Sequence, residues 1–182
     1  MIATVPNLLS LCRIALIPIL VICFYVDGPY ARWIGLTIFI LACFTDFLDG
    51  YLARLWSQTS RLGQALDPIA DKLLVASTLL LLSGFDHISR ITLIPTTVIL
   101  CREIMVSGLR EYLSEFKLSL PVSRLAKWKT FVQMLAIACL ILADSSTFGT
   151  SITIAGETLL WIAAIMTLIT AWNYLKSAFV LK

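Results

Sequence analysis

The chain has 182 residues, of which 59% are hydrophobic and only 14% charged, with a mean hydropathy of +0.93. An average soluble domain carries roughly 25% charged residues, and one core of this length cannot enclose the apolar excess, which must therefore face lipid. The formal charge of +3, from 14 Lys+Arg and 11 Asp+Glu, is too small and too interspersed for a nucleic-acid partner.

Six stretches are apolar over about the 20 residues that a helix needs to span a bilayer. In chain order they are Leu8 to Val26, Ala31 to Trp56, Ala65 to Phe85, Ile91 to Tyr112, Leu125 to Ala143, and Ile152 to Tyr174. Lipid offers the backbone no hydrogen bonds, so these segments are expected to be helices, and no segment alternates with the period of a barrel. Arg13 interrupts the first run and no small-residue cleavage site follows it, so that run is expected to stay as a span rather than leave as a signal peptide. Short polar connections such as Asp27-Gly28-Pro29, Ser57 to Ser60 and Asp144 to Thr147 leave no room for a soluble domain. The reading is an all-α integral membrane protein of six transmembrane helices, one membrane-embedded domain over residues 1–182. The five cysteines, Cys12, Cys23, Cys43, Cys101 and Cys139, stand singly in apolar runs, without the spacing of a zinc site or a disulfide framework.

Orientation follows from the basic residues. Twelve fall at one set of span ends (Arg13, Arg54, Arg61, Lys72, Arg102, Arg110, Lys117, Arg124, Lys127, Lys129, Lys176 and Lys182), against Arg32 and Arg90 at the other. Both termini and the second and fourth loops are therefore expected in the cytoplasm.

Four aspartates lie inside these spans, Asp46 and Asp49 late in the second and Asp67 and Asp71 early in the third. Each costs about 2.5 to 3.5 kcal/mol at a span centre on insertion scales, so something must compensate them. Spacings of three and four residues put each pair on one helical face. A short connection makes the two helices expected antiparallel neighbours, reversing near Gln58. Asp49 stands nine residues before that point and Asp67 nine after it, while Asp46 stands twelve before and Asp71 thirteen after, so the pairs match in depth. Four carboxylates converging in low dielectric require protons or cations. Oxygen-only donors favour Mg²⁺ or Mn²⁺, and two such ions would leave coordination positions open for a phosphate. Gly50 and Gly63 allow close approach, Ala53 keeps the face shallow, and Arg54 supplies a planar donor for a phosphate oxygen.

Asp46-Phe47-Leu48-Asp49-Gly50-Tyr51-Leu52-Ala53-Arg54, then eight residues to Gly63, three to Asp67 and three to Asp71, carries eight fixed identities over 26 positions. This resembles the signature of the CDP-alcohol phosphatidyltransferase family at every fixed position. Pro6-Asn7-Leu8-Leu9-Ser10 with Arg13, Arg102-Glu103 with Leu109-Arg110, and Lys127-Trp128-Lys129-Thr130 with Gln133 extend the likeness over nearly the whole chain, toward a bacterial branch that forms phosphatidylglycerophosphate. Ser10, where that branch is expected to have Thr, and Ala126, where it is expected to have Gly, are small-for-small departures.

The resemblance implies the family's fold and a transferase that moves the phosphatidyl group of CDP-diacylglycerol to an alcohol and releases CMP. It implies that Asp46, Asp49, Asp67 and Asp71 hold the divalent ions, with Asp71 also the general base, and that Asn7, Asp49, Gly50, Ala53, Arg54 and Gly63 border CDP-diacylglycerol. It further implies a homodimer in the bacterial inner membrane, among membrane lipids, with its active site on the cytoplasmic side. The acceptor is argued from charge. Arg102, Arg110, Lys127 and Lys129 can form a cationic pocket beside the carboxylates, which a phosphate-bearing acceptor needs and a neutral one does not. Glycerol 3-phosphate fits, with Arg110 and Lys127 foremost; inositol phosphate and phosphatidylglycerol stay open.

Bland readings stand beside these. Juxtamembrane Lys and Arg also serve orientation and anionic head groups, His87 reads as solvated, Glu157 as interfacial, and the sixth helix as without obvious chemistry. A transporter also uses intramembrane acids, though nearer the midplane and at repeat interfaces. A membrane prenyltransferase would be expected to carry its aspartates on separated helices.

Overall fold

The computed structural model describes the backbone of residues 5–26, 28–56, 61–115, 124–143 and 149–180, and side chains at 8–26, 28, 30–46, 63, 66–113, 125–143 and 149–176. These residues form α1 (Val5–Tyr25), α2 (Pro29–Trp56), α3 (Arg61–Gly84), a single 3-10 turn (Arg90–Thr92), α4 (Leu93–Glu115), α5 (Arg124–Ala143) and α6 (Gly149–Val180). No strand occurs among them. The helices fall where the apolar runs are because, in lipid, the helix alone satisfies every backbone group within one segment. Between α1 and α2 the chain turns at Gly28, whose φ of +124° suits glycine, and Pro29 opens α2 where its missing N–H costs nothing.

The protein is a multi-pass membrane protein. Spans covering Leu8–Tyr25, Arg90–Leu113, Leu125–Ala143 and Gly149–Lys176 are long and apolar enough to cross a bilayer; α2 and α3 carry the aspartates. Many hydroxyl groups along the helices are satisfied locally. Thr37, Ser77, Thr78, Thr96, Thr97, Thr130 and Thr158 each donate to the carbonyl four residues earlier, which hides the O–H in the helix's own ladder. Large apolar side chains such as Ile22, Leu80, Ile104 and Trp172 stand exposed on the helix surfaces, as lipid-facing positions require.

Close contacts divide the chain into two compact units, Met1–His87 with Ile141–Thr150, and Ile88–Leu140 with Ser151–Lys182. In the first, α1 packs against both α2 and α3, whereas α2 and α3 approach each other directly over only a short stretch of the described residues. The neighbouring pair expected from the sequence thus shares a third helix as its strut. Leu20, Phe39, Leu74, Leu79 and Leu82 are fully or almost fully buried in this unit. At the C-terminal end of α1, His87 is half-buried rather than solvated. Its ring stacks on Phe85 (centroids 6.5 Å apart, 13° between planes) and meets Phe24 edge-on at 5.8 Å, and the Arg32 guanidinium lies 5.0 Å from the Phe24 ring.

In the second unit, Ile99, Ile137, Leu140 and Leu160 are fully buried. Glu157 is more than an interfacial acid: Oε1 accepts from the Ser89 backbone N–H at 2.6 Å and Oε2 from the Ser89 hydroxyl at 3.0 Å, tying the 3-10 turn to α6. Gly156 lets α6 approach α5, since a Cβ there would stand 2.7 Å from Leu140 Cγ and 3.3 Å from the Ala136 carbonyl oxygen. Gly156→Ala is expected to destabilise the protein by about 1 to 3 kcal/mol, the usual cost of overpacking. A lowered midpoint of thermal unfolding in detergent would register it.

Candidate active site

The expected carboxylates lie in the first unit and the expected cations in the second. Asp46 lies on α2, Asp67 and Asp71 one turn apart on α3, and all three are partly exposed. Two are held from α1. Arg13 donates from Nη1 to Asp46 Oδ1 at 2.7 Å, and the Ser10 hydroxyl donates to Asp67 Oδ1. Ser10 and Arg13 are three residues apart, hence one above the other on a single face of α1. One turn of α1 therefore engages an aspartate from each of two other helices.

Both α1 residues are completely buried, whereas the Asp46 side chain keeps 44% of its surface. The guanidinium is thus committed to the interior and the carboxylate remains reachable. Asp67 meets Ser10, and Asp46 meets Arg13 one turn further along α1. Asp46, Asp71 and Arg13 all lie in the neighbourhood of the Cys43 thiol. Gly63 is buried on α3. Asp49, Gly50, Ala53 and Arg54 continue α2, and Asn7 lies in the first turns of α1, but their side chains fall outside the described residues.

The donors fit a hard divalent cation in kind, being carboxylate oxygens without sulfur or imidazole. Among the described residues no three His, Cys, Asp or Glu side chains stand close enough to hold one ion. Asp49 is the member of the expected set outside that description.

In the second unit the four expected cations differ in situation. Lys129 on α5 is buried, 3% exposed, and donates to Glu103 Oε1. Arg102 on α4 is 8% exposed; Nη2 donates to the Thr170 hydroxyl at 3.1 Å, while Nη1 lies 3.4 Å from Glu103 Oε1. Its buried Nε has no hydrogen-bond partner among the described residues, so the guanidinium keeps an uncommitted donor. Arg110, two turns further along α4, is exposed and donates from Nη2 to the Tyr174 phenol oxygen at 2.9 Å. Lys127 is exposed and shows no ion pair among the described residues.

Arg102, Arg110 and Lys129 thus belong to one connected chain running Lys129, Glu103, Arg102, Tyr174, Arg110, from which Lys127 stands apart. Sequence reading gave no role to Arg13, Ser10 or Glu103 as holders of site residues, nor to Thr170 and Tyr174 of α6. Arg13 carried a usable signal, because an arginine inside an apolar span needs an acid. Tyr174 carried none, since an aromatic at a span end is ordinary.

Sequence comparison adds what local geometry cannot. A profile of CDP-alcohol phosphatidyltransferases matches residues 3–169, most of the chain. The chain belongs to the CDP-alcohol phosphatidyltransferase family. Curated relatives named CDP-diacylglycerol–glycerol-3-phosphate 3-phosphatidyltransferase include a Rickettsia bellii protein, 45% identical over 94% of this chain and 93% of its own length. A Haemophilus influenzae protein of that name is 42% identical over 96% of this chain and 92% of its own length. A third, from Cereibacter sphaeroides, is 39% identical over 96% and 95%. Membership makes the protein a phosphatidyltransferase, and places Asp46 to Asp71 and the cations of α4 and α5 inside the matched region.

Proposed function

We propose that this chain transfers the phosphatidyl group from CDP-diacylglycerol to glycerol 3-phosphate, giving phosphatidylglycerophosphate and CMP. The observation that carries the acceptor is the name shared by relatives 39 to 46% identical over more than nine-tenths of the chain. Residues 1–182 act as one catalytic domain in the bacterial inner membrane, among membrane lipids. In this reading α2 and α3 also span, giving six spans with both termini and the active site on the cytoplasmic side, and the enzyme works as a homodimer.

Asp46, Asp49, Asp67 and Asp71 are assigned to divalent cations, two Mg²⁺ or Mn²⁺, in line with the family's general dependence on divalent metals. Bound there, the cations supply charge neutralisation for the diphosphate and the departing CMP. The protein's own residues do the rest. Asn7, Asp49, Gly50, Ala53, Arg54 and Gly63 border the nucleotide lipid, and Arg13 and Ser10 keep Asp46 and Asp67 aimed. The acceptor hydroxyl oxygen bonds to the phosphorus of the phosphatidyl group as its proton passes to the Asp71 carboxylate. The bond from that phosphorus to the bridging oxygen breaks, and its electron pair leaves with CMP. Arg110 and Lys127 take the acceptor's phosphate by charge-assisted hydrogen bonds, supported by Arg102 and Lys129.

Purified protein given CDP-diacylglycerol, Mg²⁺ and glycerol 3-phosphate is expected to release CMP, and removal of divalent metal by chelation to stop it. Inositol phosphate, serine and phosphatidylglycerol offered in place of glycerol 3-phosphate are expected to give no release. Turnover with one of those instead would reassign the acceptor and leave the reaction class standing.

A further inference from the structure

The acceptor cations are long and flexible, yet two of them meet on one rigid side chain. Tyr174 of α6 is 5% exposed and clusters with Val106 and Ala171. Its ring centroid lies 5.1 Å from the Arg110 guanidinium carbon and 5.9 Å from that of Arg102, and its phenol oxygen accepts the bond from Arg110. Arg102 and Arg110 are eight residues apart on α4, just over two turns, so their Cα atoms stand about 12 Å apart along the axis. A single buried ring draws both guanidiniums toward one place.

We propose that Tyr174 is a positioning residue that holds Arg110, and with it Arg102, ready for the acceptor's phosphate; this rests on the assignment of glycerol 3-phosphate as acceptor. An exposed arginine loses much rotamer freedom when it is fixed on a ligand. Stacking on the ring and bonding to the phenol remove that freedom before the ligand arrives, so less is lost on binding. The bond to Tyr174 engages Nη2 of Arg110 and leaves other N–H donors of the fork for a dianion. Burial keeps Tyr174 itself from serving as the contact; it acts through the arginines.

Steady-state kinetics on the detergent-solubilised full chain test this. Y174F keeps the ring and removes the acceptor oxygen. It is expected to raise KM for glycerol 3-phosphate about tenfold, as loss of a hydrogen bond to a charged group does. KM for CDP-diacylglycerol and the melting temperature are expected to stay unchanged. R110Q is expected to raise the same KM at least as much, and the double variant to match R110Q alone, because the tyrosine has nothing left to hold. Multiplying effects in the double variant, or equal shifts of both KM values in Y174F, overturn the proposal. If R110Q leaves KM for glycerol 3-phosphate unchanged, Arg110 does not hold the acceptor and the proposal falls while glycerol 3-phosphate stands; if the wild-type protein releases no CMP with glycerol 3-phosphate, the acceptor assignment itself fails; a strong R110Q effect beside a silent Y174F removes the proposal alone. Should Y174F not accumulate, R110K keeps the charge but loses the planar fork, and wild-type KM in that variant is equally fatal.

Discussion

Asp71→Asn is expected to lower CMP release about a thousandfold while leaving the protein folded. The substitution keeps the size and polarity of the side chain and removes the two properties the proposed reaction needs, a negative charge for a cation and a basic oxygen for the acceptor's proton. Loss of general base catalysis alone typically accounts for 10² to 10⁴ in rate. Asp71 is partly exposed and lies one turn along α3 from Asp67, and the asparagine amide keeps the shape of the carboxylate and an oxygen that accepts hydrogen bonds. The melting temperature in detergent should therefore move little. Activity within tenfold of wild type would place the base elsewhere.

Asp46→Ala should behave differently, losing stability as well as turnover. Arg13 is fully buried in apolar α1 and donates to Asp46 at 2.7 Å. Removing one partner of a buried ion pair costs about 3 to 5 kcal/mol, and the 44% exposure of the Asp46 side chain lowers that by solvent screening, so about 2 kcal/mol is expected. Turnover should fall at least about a hundredfold, since weakening a metal site even indirectly costs 10 to 100-fold. The double variant R13M/D46A separates the two effects. With neither charge present, the melting temperature is expected to recover while CMP release does not. Recovery of both would mean that Asp46 serves only to balance Arg13.

Asp46 has a buried partner that its own helix does not reveal. Asp46 to Asp71 were legible because carboxylates are costly in lipid and their three- and four-residue spacing has one helical meaning. The helices were legible for a related reason: the run from Leu125 to Ala143 has no other way to satisfy its backbone in lipid, and α5 spans Arg124–Ala143. What stayed hidden depends on which helix packs where. Adjacency in sequence suggested α2 against α3, but α1 reaches both, so the partners of Asp46 and Asp67 come from residues 33 and 57 positions away. Tyr174 was hidden for the same reason, since its partner Arg110 is 64 positions away and α6 alone shows only an apolar run ending in an aromatic. Glu103 was visible beside Arg102, but only packing shows that it serves Lys129 as well.

The strut formed by α1 also bears on how the chain enters the membrane. Synthesis proceeds from the amino terminus, so Ser10 and Arg13 are made before Asp46 and Asp67, and the cation and hydroxyl are in place when the acids emerge. A segment carrying aspartates partitions poorly into lipid on its own; the guanidinium that α1 offers to Asp46 offsets part of that cost. Moving that arginine to a later helix would leave Asp46 without its cation until that helix is made.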